Sequence, residues 1–414
     1  MSTVSFVIVG AGGRGRAYAR FAEQYPKDAQ VVAVCEPKDE FRNLIATKHH
    51  LPSERVFRDW RELLDKPKLA DAAMICTQDA DHRDPAIALA ARGYHLLLEK
   101  PMAPTAADSQ AIYDAVKQAG IMLTVCHGLR YTPYNRTLKK LLDSGLIGTI
   151  RNIDLIEPVG YWHQAHSFVR GHWRNSIESS PMLLAKSCHD LDFLNFLIPS
   201  RCARVASFGH LSYFTKANQP KGAADRCLEC PETIESKCAY SAKKIYLKDF
   251  GHHLDGWPVN VVSSTPTVEA IIKGLAEGPY GRCVFACDND VVDHQVVLLE
   301  FAGGEVATFT MSAFNKHTER ETYVMGDRGT LRVKGHAITH YDFLTNEERE
   351  IEYDTKLLDS GHGGGDFGIM RDFIEAIRTN DPGKISSGPE VSLESHLIVF
   401  AAEESRRTGT VVSL

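Results

Sequence analysis

Hydrophobic positions along the first 125 or so residues fall into two alternating patterns. Short, mostly apolar runs at 4–9, 31–35, 72–76, 95–98 and 122–126 read as strands covered on both faces, because a half-exposed strand would alternate with period two. Between them, 13–25, 38–49, 84–92 and 106–118 carry apolar residues at helical spacing. In the first of these, Ala17, Tyr18, Phe21, Ala22 and Tyr25 share one face. Gly93 and Gly120 stand where helix C-caps belong, and 59–64 reads as a short helix. Strands alternating with helices predict an α/β fold built on a doubly wound parallel sheet.

From Pro133 the pattern changes. A helix at 134–142 ends at Ser144-Gly145, and a strand-rich region begins at 150–156. Segments 291–301 and 305–313 flank Ala302-Gly303-Gly304, and 323–325 and 330–333 flank Gly326-Asp327-Arg328-Gly329, two hairpin signals. Such antiparallel strands need one covered face, and helices at 367–378 and 392–408 are expected to supply part of the cover. The other face suits a contact between copies of the chain. Residues 201–262 lack periodicity, hold three clustered cysteines and read as a long insertion or lid.

Bulk composition narrows the class. A length of 414 residues predicts two or three domains, and 43% hydrophobic with 24% charged residues is ordinary for a globular protein. The formal charge of −6 argues against a nucleic-acid face, which should be basic. No apolar run approaches the roughly 18 residues of a membrane helix. The sequence opens directly into its first strand without a signal-peptide pattern, which predicts a cytoplasmic protein. In a reducing cytosol its ten cysteines are thiols, ligands or core residues rather than a disulfide scaffold.

Candidate chemistry begins where the first strand ends. Gly10-Ala11-Gly12-Gly13-Arg14-Gly15 fits G-x-G-x-x-G between a strand and a helix, the context that gives this motif meaning. Gly10 allows the tight turn, Gly12 lets backbone approach a pyrophosphate, and Gly15 lets the helix pack on the strand. The N–H groups at the start of the helix, over Gly13 and Arg14, then face the phosphates. Glu36 closes the second strand about twenty residues on, placed to accept both ribose hydroxyls of adenosine. A carboxylate there repels a 2′-phosphate, so NAD is expected over NADP, although Lys38 and Arg42 soften that bias.

The second stretch is Leu96-Leu97-Leu98-Glu99-Lys100-Pro101. Ligands of open α/β sheets lie beyond the carboxyl ends of the strands, so Lys100 is expected to project toward the nicotinamide end of a dinucleotide. A lysine partly desolvated near a cationic ring has its neutral form favoured and can take a proton from a hydroxyl.

Together with Cys76-Thr77-Gln78-Asp79-Ala80-Asp81-His82, His127-Gly128-Leu129-Arg130-Tyr131 and Ala401-Ala402-Glu403-Glu404-Ser405, these motifs resemble the Gfo/Idh/MocA oxidoreductases, which include glucose-fructose oxidoreductase and inositol 2-dehydrogenase. The resemblance implies an N-terminal Rossmann domain over 1–127. It implies over 128–414 an α/β domain with an open, largely antiparallel sheet that binds substrate and assembles homo-oligomers. It further implies NAD(P)-dependent oxidation or reduction of sugars or cyclitols, with Lys100 catalytic, Thr77 and His82 along the cofactor, Glu99 near the nicotinamide, and Arg130 and Tyr131 toward the substrate.

Within 180–192, His189 matches the family's histidine, but the family's aspartate four residues earlier is Ala185, with Lys186 beside it. On a continuous helix Lys186, His189 and Asp190 would share a face, as a second acid/base cluster or as a plain Lys–Asp pair. Relatives that retain NAD and cleave glycosides through a transient keto-sugar use an extra base, a role open to Lys186 or His189. A dinucleotide-dependent sensor is the other alternative. Tyr161-Trp162-His163-Gln164-Ala165-His166 and His172-Trp173-Arg174 suit a sugar site, with His166, Trp173 and Arg174 as candidates, or ordinary aromatic packing. Gly361-His362-Gly363-Gly364-Gly365-Asp366 is a mobile loop from which His362 reaches substrate, or a helix entry capped by Asp366. Cys227-x2-Cys230-x7-Cys238 is a structural zinc signal, with Cys283, Cys287, His210 or His252 as fourth ligand, or a set of free thiols.

Overall fold

The computed structural model describes residues 2–356, 358 and 360–414. Its first sheet is parallel, with β1 (Val4–Val9), β2 (Ala29–Cys35), β3 (Val56–Phe57), β4 (Ala72–Ile75), β5 (His95–Leu98) and β6 (Leu123–Val125) in the order 3-2-1-4-5-6. Every residue of β4 is buried, and so are all but one of β1, as expected of strands with helices on both faces. Those helices are α1 (Gly13–Gln24), α2 (Asp39–Lys48), α3 (Arg83–Ala91) and α4 (Ala106–Ala119). Local chemistry sets their ends. The Thr105 side chain accepts from the Asp108 N–H at the start of α4, and Gly120 closes it with φ +63°. Strand order reverses between β1 and β4, and the crevice at that switch point is where such sheets bind ligands.

The second sheet has nine strands: β7 (Ile150–Pro158), β8 (Cys202–His210), β9 (His294–Phe301), β10 (Val306–Ser312), β11 (Glu321–Gly326), β12 (Gly329–Lys334), β13 (Ala337–Asp342), β14 (Glu347–Glu350) and β15 (Val412–Ser413). They lie in the order 14-13-12-11-7-10-9-8-15. Among the described residues all neighbours are antiparallel except β7 and β10. Alternation is clear in the β9–β10 hairpin. Val297, Leu299, Phe301, Ala307, Phe309 and Met311 enter the core, while Val296, Leu298 and Val306 face outward.

Two expectations are corrected. Residues 201–262 are not one irregular insertion: β8 is a full strand of the large sheet, and the insertion proper runs from 211 to 293. Its pattern, Cys202, Val205 and Ser207 buried with Arg204 and Phe208 exposed, is interrupted by a register shift near Cys202, which hid the strand. The helix Gly365–Thr379 covers the first sheet rather than the second: Phe373 meets Phe6 at 6.3 Å between ring centroids, and Phe367 meets Phe21 at 5.1 Å. The chain thus returns to the N-terminal layer. The helix Pro389–Thr408 does lie on the large sheet, beside Cys188–Leu197.

Candidate active site

Backbone geometry shapes the glycine turn. Gly10 has φ +92°, and a Cβ there would lie 2.6 Å from the Cys76 carbonyl oxygen. A Cβ on Gly15 would lie 2.1 Å from the Gly10 carbonyl oxygen, so α1 packs this close to β1 only without a side chain. Beside Gly12 and Gly13 there is open space: among the described residues, nothing beyond their chain neighbours and the helix's own backbone lies within 4 Å of where a Cβ would sit. Glu36 is buried at the end of β2, its carboxylate accepting from the Ala11 N–H at 2.8 Å and the Lys38 N–H at 2.9 Å. An open backbone cradle at a helix N-terminus, with a fixed carboxylate at its edge, fits a dinucleotide.

Arg14, expected at the cofactor, turns away from the cradle. Its guanidinium donates to Glu99 at 2.6 Å, to Tyr18 Oη at 2.6 Å and to both Asp366 oxygens at 3.0 and 2.7 Å, while His362 Nδ1 lies 3.1 Å from Asp366. Burial, the largest single influence, would raise Glu99, but the Arg14 charge and hydrogen bond, the Lys100 charge and the Tyr18 hydrogen bond together hold the carboxylate below its usual range. Thr77 and His82 close the turn after β4: Thr77 Oγ1 donates to the Asp81 carbonyl at 3.0 Å, and His82 Nδ1 sits 2.7 Å from the Pro101 carbonyl. His82 therefore braces the Glu99-Lys100-Pro101 turn, whose Lys100–Pro101 bond is cis.

Lys100 leaves the end of β5 and its Nζ donates to the Ala185 carbonyl, crossing to the second domain. His189 lies beyond it, half-buried, with Nδ1 lacking a partner among the described residues and its ring 6.0 Å from His127. Burial first, then the Lys100 charge, keep the His189 imidazole neutral far below its ordinary pKa. The stretch 182–192 is not one helix. It breaks at Lys186 and Ser187 between Met182–Ala185 and Cys188–Leu197, so the expected shared face does not form. Lys186 instead lies 3.4 Å from Glu157, and Asp190 pairs with Arg320 at 2.6 Å, Arg320 also reaching Glu157 at 2.7 Å. Burial pushes the Lys186 ammonium down despite Glu157, and pushes Asp190 up despite Arg320. A lysine, a neutral imidazole and a second lysine with weakened proton affinity thus surround the end of β5, a set able to move a proton on or off an alcohol.

Glu157 and Arg320 were absent from the sequence reading. Each follows a strand pattern without any motif, and they meet only because β7 and β11 pair antiparallel, Ile156 opposite Glu321. Other expected substrate contacts are occupied inside the protein. Arg130 holds Asp192 through Nε and Nη2, both at 2.7 Å, and Nη1 donates to the Ser386 carbonyl. Tyr131 Oη lies 2.7 Å from Ser387 Oγ. Arg174 pairs with Asp288 and Glu178. Trp173 packs 6.1 Å from Phe168, and His166 hydrogen-bonds Tyr246 Oη at 2.8 Å and stacks on Tyr280. The expected zinc knot is also corrected: among the described residues no three His, Cys, Asp or Glu side chains are placed to hold a metal. Cys227 Sγ is instead 3.4 Å from Nη2 of the buried Arg170, and Cys230 and Cys238 are half-buried thiols.

Buried histidines make the protein acid-labile. Burial, the dominant cause, lowers His127 and His166 to about 3 and His396 to about 4. Unfolded, each takes up a proton near pH 6.5, so below that the unfolded chain binds more protons. Their stabilising contribution is complete above pH 6.5 and is lost as pH falls toward 4, by about 1 kcal/mol per histidine per pH unit. Urea midpoints measured at pH 7.5 and 5.5 should drop sharply; equal midpoints would mean these rings are not held neutral.

Comparison with known proteins decides the lineage. A model of an oxidoreductase family with an NAD-binding Rossmann fold matches residues 4–127, and a model of that family's C-terminal α/β domain matches 139–414. The chain belongs to the Gfo/Idh/MocA oxidoreductase family. Relatives include YteT of Bacillus subtilis, 24% identical over 84% of this chain and 80% of that protein. Levoglucosan dehydrogenase of Pseudarthrobacter phenanthrenivorans is 32% identical over 35% of this chain and 37% of its own length. For scyllo-inositol 2-dehydrogenase (NAD(+)) of Bacillus subtilis the figures are 26%, 50% and 58%. Among solved structures, aldose-aldose oxidoreductase from Caulobacter crescentus complexed with glycerol superposes with a TM-score of 0.69 at 17% identity, covering 100% of both chains. Among the described residues no helix is long and apolar enough to cross a membrane.

Proposed function

We propose that this family member is a cytoplasmic, NAD-dependent dehydrogenase that oxidises a ring hydroxyl of a sugar, glycoside or cyclitol. The observation that carries the reading is Lys100: it stands at the carboxyl end of β5, beside the crevice that begins at the open glycine turn, and reaches across to Ala185. When bound, the dinucleotide supplies the hydride acceptor. Glu36 would hold the adenosine ribose and the α1 N-terminus the pyrophosphate. Lys100 takes the hydroxyl proton as the C–H hydride leaves, so an alcohol becomes a ketone with one reduced nicotinamide and one proton released. His189, neutral and 6.0 Å from His127 between ring centroids, assists that transfer. Lys186, Glu157, Asp190 and Arg320 form the polar wall opposite, against which hydroxyl groups are oriented.

The test is a panel of hexoses, anhydrosugars, glycosides and inositols incubated with NAD or NADP and followed at the nicotinamide absorbance. Stoichiometric NADH from at least one of them supports the reading. Turnover without net NADH, with solvent deuterium entering the product, would instead assign redox-cycled glycoside cleavage, and tighter binding of NADP than NAD would overturn the cofactor assignment.

The outer face of the large sheet is the proposed contact between copies. Phe208 is 65% exposed, and Ile156, Val296, Leu298, Val306 and Tyr323 lie on the same open side. A patch of this kind on a long antiparallel sheet is a protein–protein surface. Light scattering should give a mass that is a multiple of 45.9 kDa, and Leu298→Glu should return it to the monomer value.

A further inference from the structure

The insertion at 211–293 is not a loose lid. It has its own core, in which Phe214, Ile245, Tyr246, Val259, Leu275 and Phe285 are buried. That core is nailed to the second domain through the helical segment 161–170, whose Ala165 and Val169 enter it. The same segment has a second side. His163 lies in its first turn, directly after β7, whose Glu157 is 3.4 Å from Lys186 and 2.7 Å from Arg320. One short helical stretch therefore joins the polar wall of the site to the insertion.

Where the two meet stands Trp257. Its ring lies 5.1 Å from His163, 5.2 Å from Trp162 and 5.3 Å from His166, yet the residue is 48% exposed. His163 and His166 meet it at 82° and 88° and Trp162 at 57°, so among the described aromatic rings none lies parallel over its face. Trp162 is braced from behind by Phe250 at 4.5 Å. Nearby, Lys244 Nζ donates to Tyr161 Oη at 2.8 Å and to Asp249 at 2.6 Å, fixing polar groups at the rim. Trp257 thus presents a large indole that is held by its neighbours and 48% exposed. A flat aromatic face beside fixed polar groups is suited to a pyranose ring, whose C–H face is apolar and whose hydroxyls lie at its edge.

We propose that Trp257 is a platform for a second sugar ring, so that the substrate is a disaccharide or longer glycoside with its oxidised ring at Lys100 and its neighbouring ring on the indole. The proposal rests on the sugar-oxidising reading given above and adds the size of the substrate to it. Trp257 meets His163 at 5.1 Å, and His163 belongs to the short helical segment that directly follows β7 and its Glu157, so the indole continues the polar wall and selects this occupant.

The experiment compares the NAD-loaded wild type, Trp257→Ala and Trp257→Phe in two readouts. The first is NADH formation from paired monosaccharides and their α- and β-linked disaccharides. The second is calorimetric binding of those sugars, which needs no turnover. The wild type should prefer one disaccharide over its monosaccharide by at least about tenfold in kcat/KM, and Trp257→Ala should erase that preference by raising KM. Monosaccharide kinetics should be unchanged, and Trp257→Phe should restore most of the loss. Disaccharide binding that depends on Trp257 without NADH formation would sustain the platform and overturn the oxidation reading. Equal treatment of both sugar sizes by wild type and Trp257→Ala, or an equal loss on both, would overturn the platform and leave the oxidation reading standing. Absence of all sugar binding would overturn both.

Discussion

Lys100→Ala lowers the turnover number by about 1,000-fold, within the range that general acid–base groups contribute, while NAD binding is unchanged. The two halves of this expectation separate because the parts of the site are separate. Glu36 and the glycine turn hold their geometry through backbone contacts that do not include Lys100. Lys100 touches the second domain, at Ala185, and stands beside His189. Removing it deletes the proton acceptor and leaves those contacts of Glu36 and the glycine turn in place. Stopped-flow measurement of NADH formation and fluorescence titration of NAD check the two halves independently. Near-wild-type turnover would remove Lys100 from the chemistry, and lost NAD binding would make it a cofactor ligand instead.

Arg130→Met destabilises the protein by about 3–5 kcal/mol, because it leaves the Asp192 carboxylate buried without its partner. Asp192 is fully buried, and besides Arg130 its polar neighbours are Ser395 Oγ at 2.7 Å and the neutral His127 at 3.7 Å. The paired variant Arg130→Met/Asp192→Leu should recover most of that loss, since a buried ion pair exchanged for apolar residues of similar volume is close to neutral. The readout is the urea midpoint at constant slope. A single variant that loses under about 1 kcal/mol, or a double variant no more stable than the single, would show that the pair is not desolvated as the contacts imply.

The pair also shows what a motif does not say about the partners of its side chains. The stretch His127-Gly128-Leu129-Arg130-Tyr131 was expected at the substrate, and it does sit at the junction of the domains. There its arginine and tyrosine are consumed by Asp192, Ser386 and Ser387, partners from the second domain that no local pattern connects to it. Arg14 is a parallel case. Its position in the glycine turn was legible, but its side chain is drawn to Glu99 and Asp366 because two buried carboxylates offer more than open solvent does. Helix 365–379 was recognised as a helix from its period, and its partner sheet was not, since an apolar stripe says that a face is buried and not against what.

What the amino-acid order determined unaided is local in origin. Parallel strands, crossover helices, the glycine turn and the lysine closing β5 are set by side-chain period, by backbone angles that only glycine adopts freely, and by spacing along the chain. The tertiary structure alone decided the rest: that Lys186 faces Glu157, that Arg320 joins Asp190 to it, and that Trp257 stands beside His163. Those groups lie far apart along the chain, and they meet because strand pairing and core packing bring their backbones together, which is information held by no stretch of residues on its own.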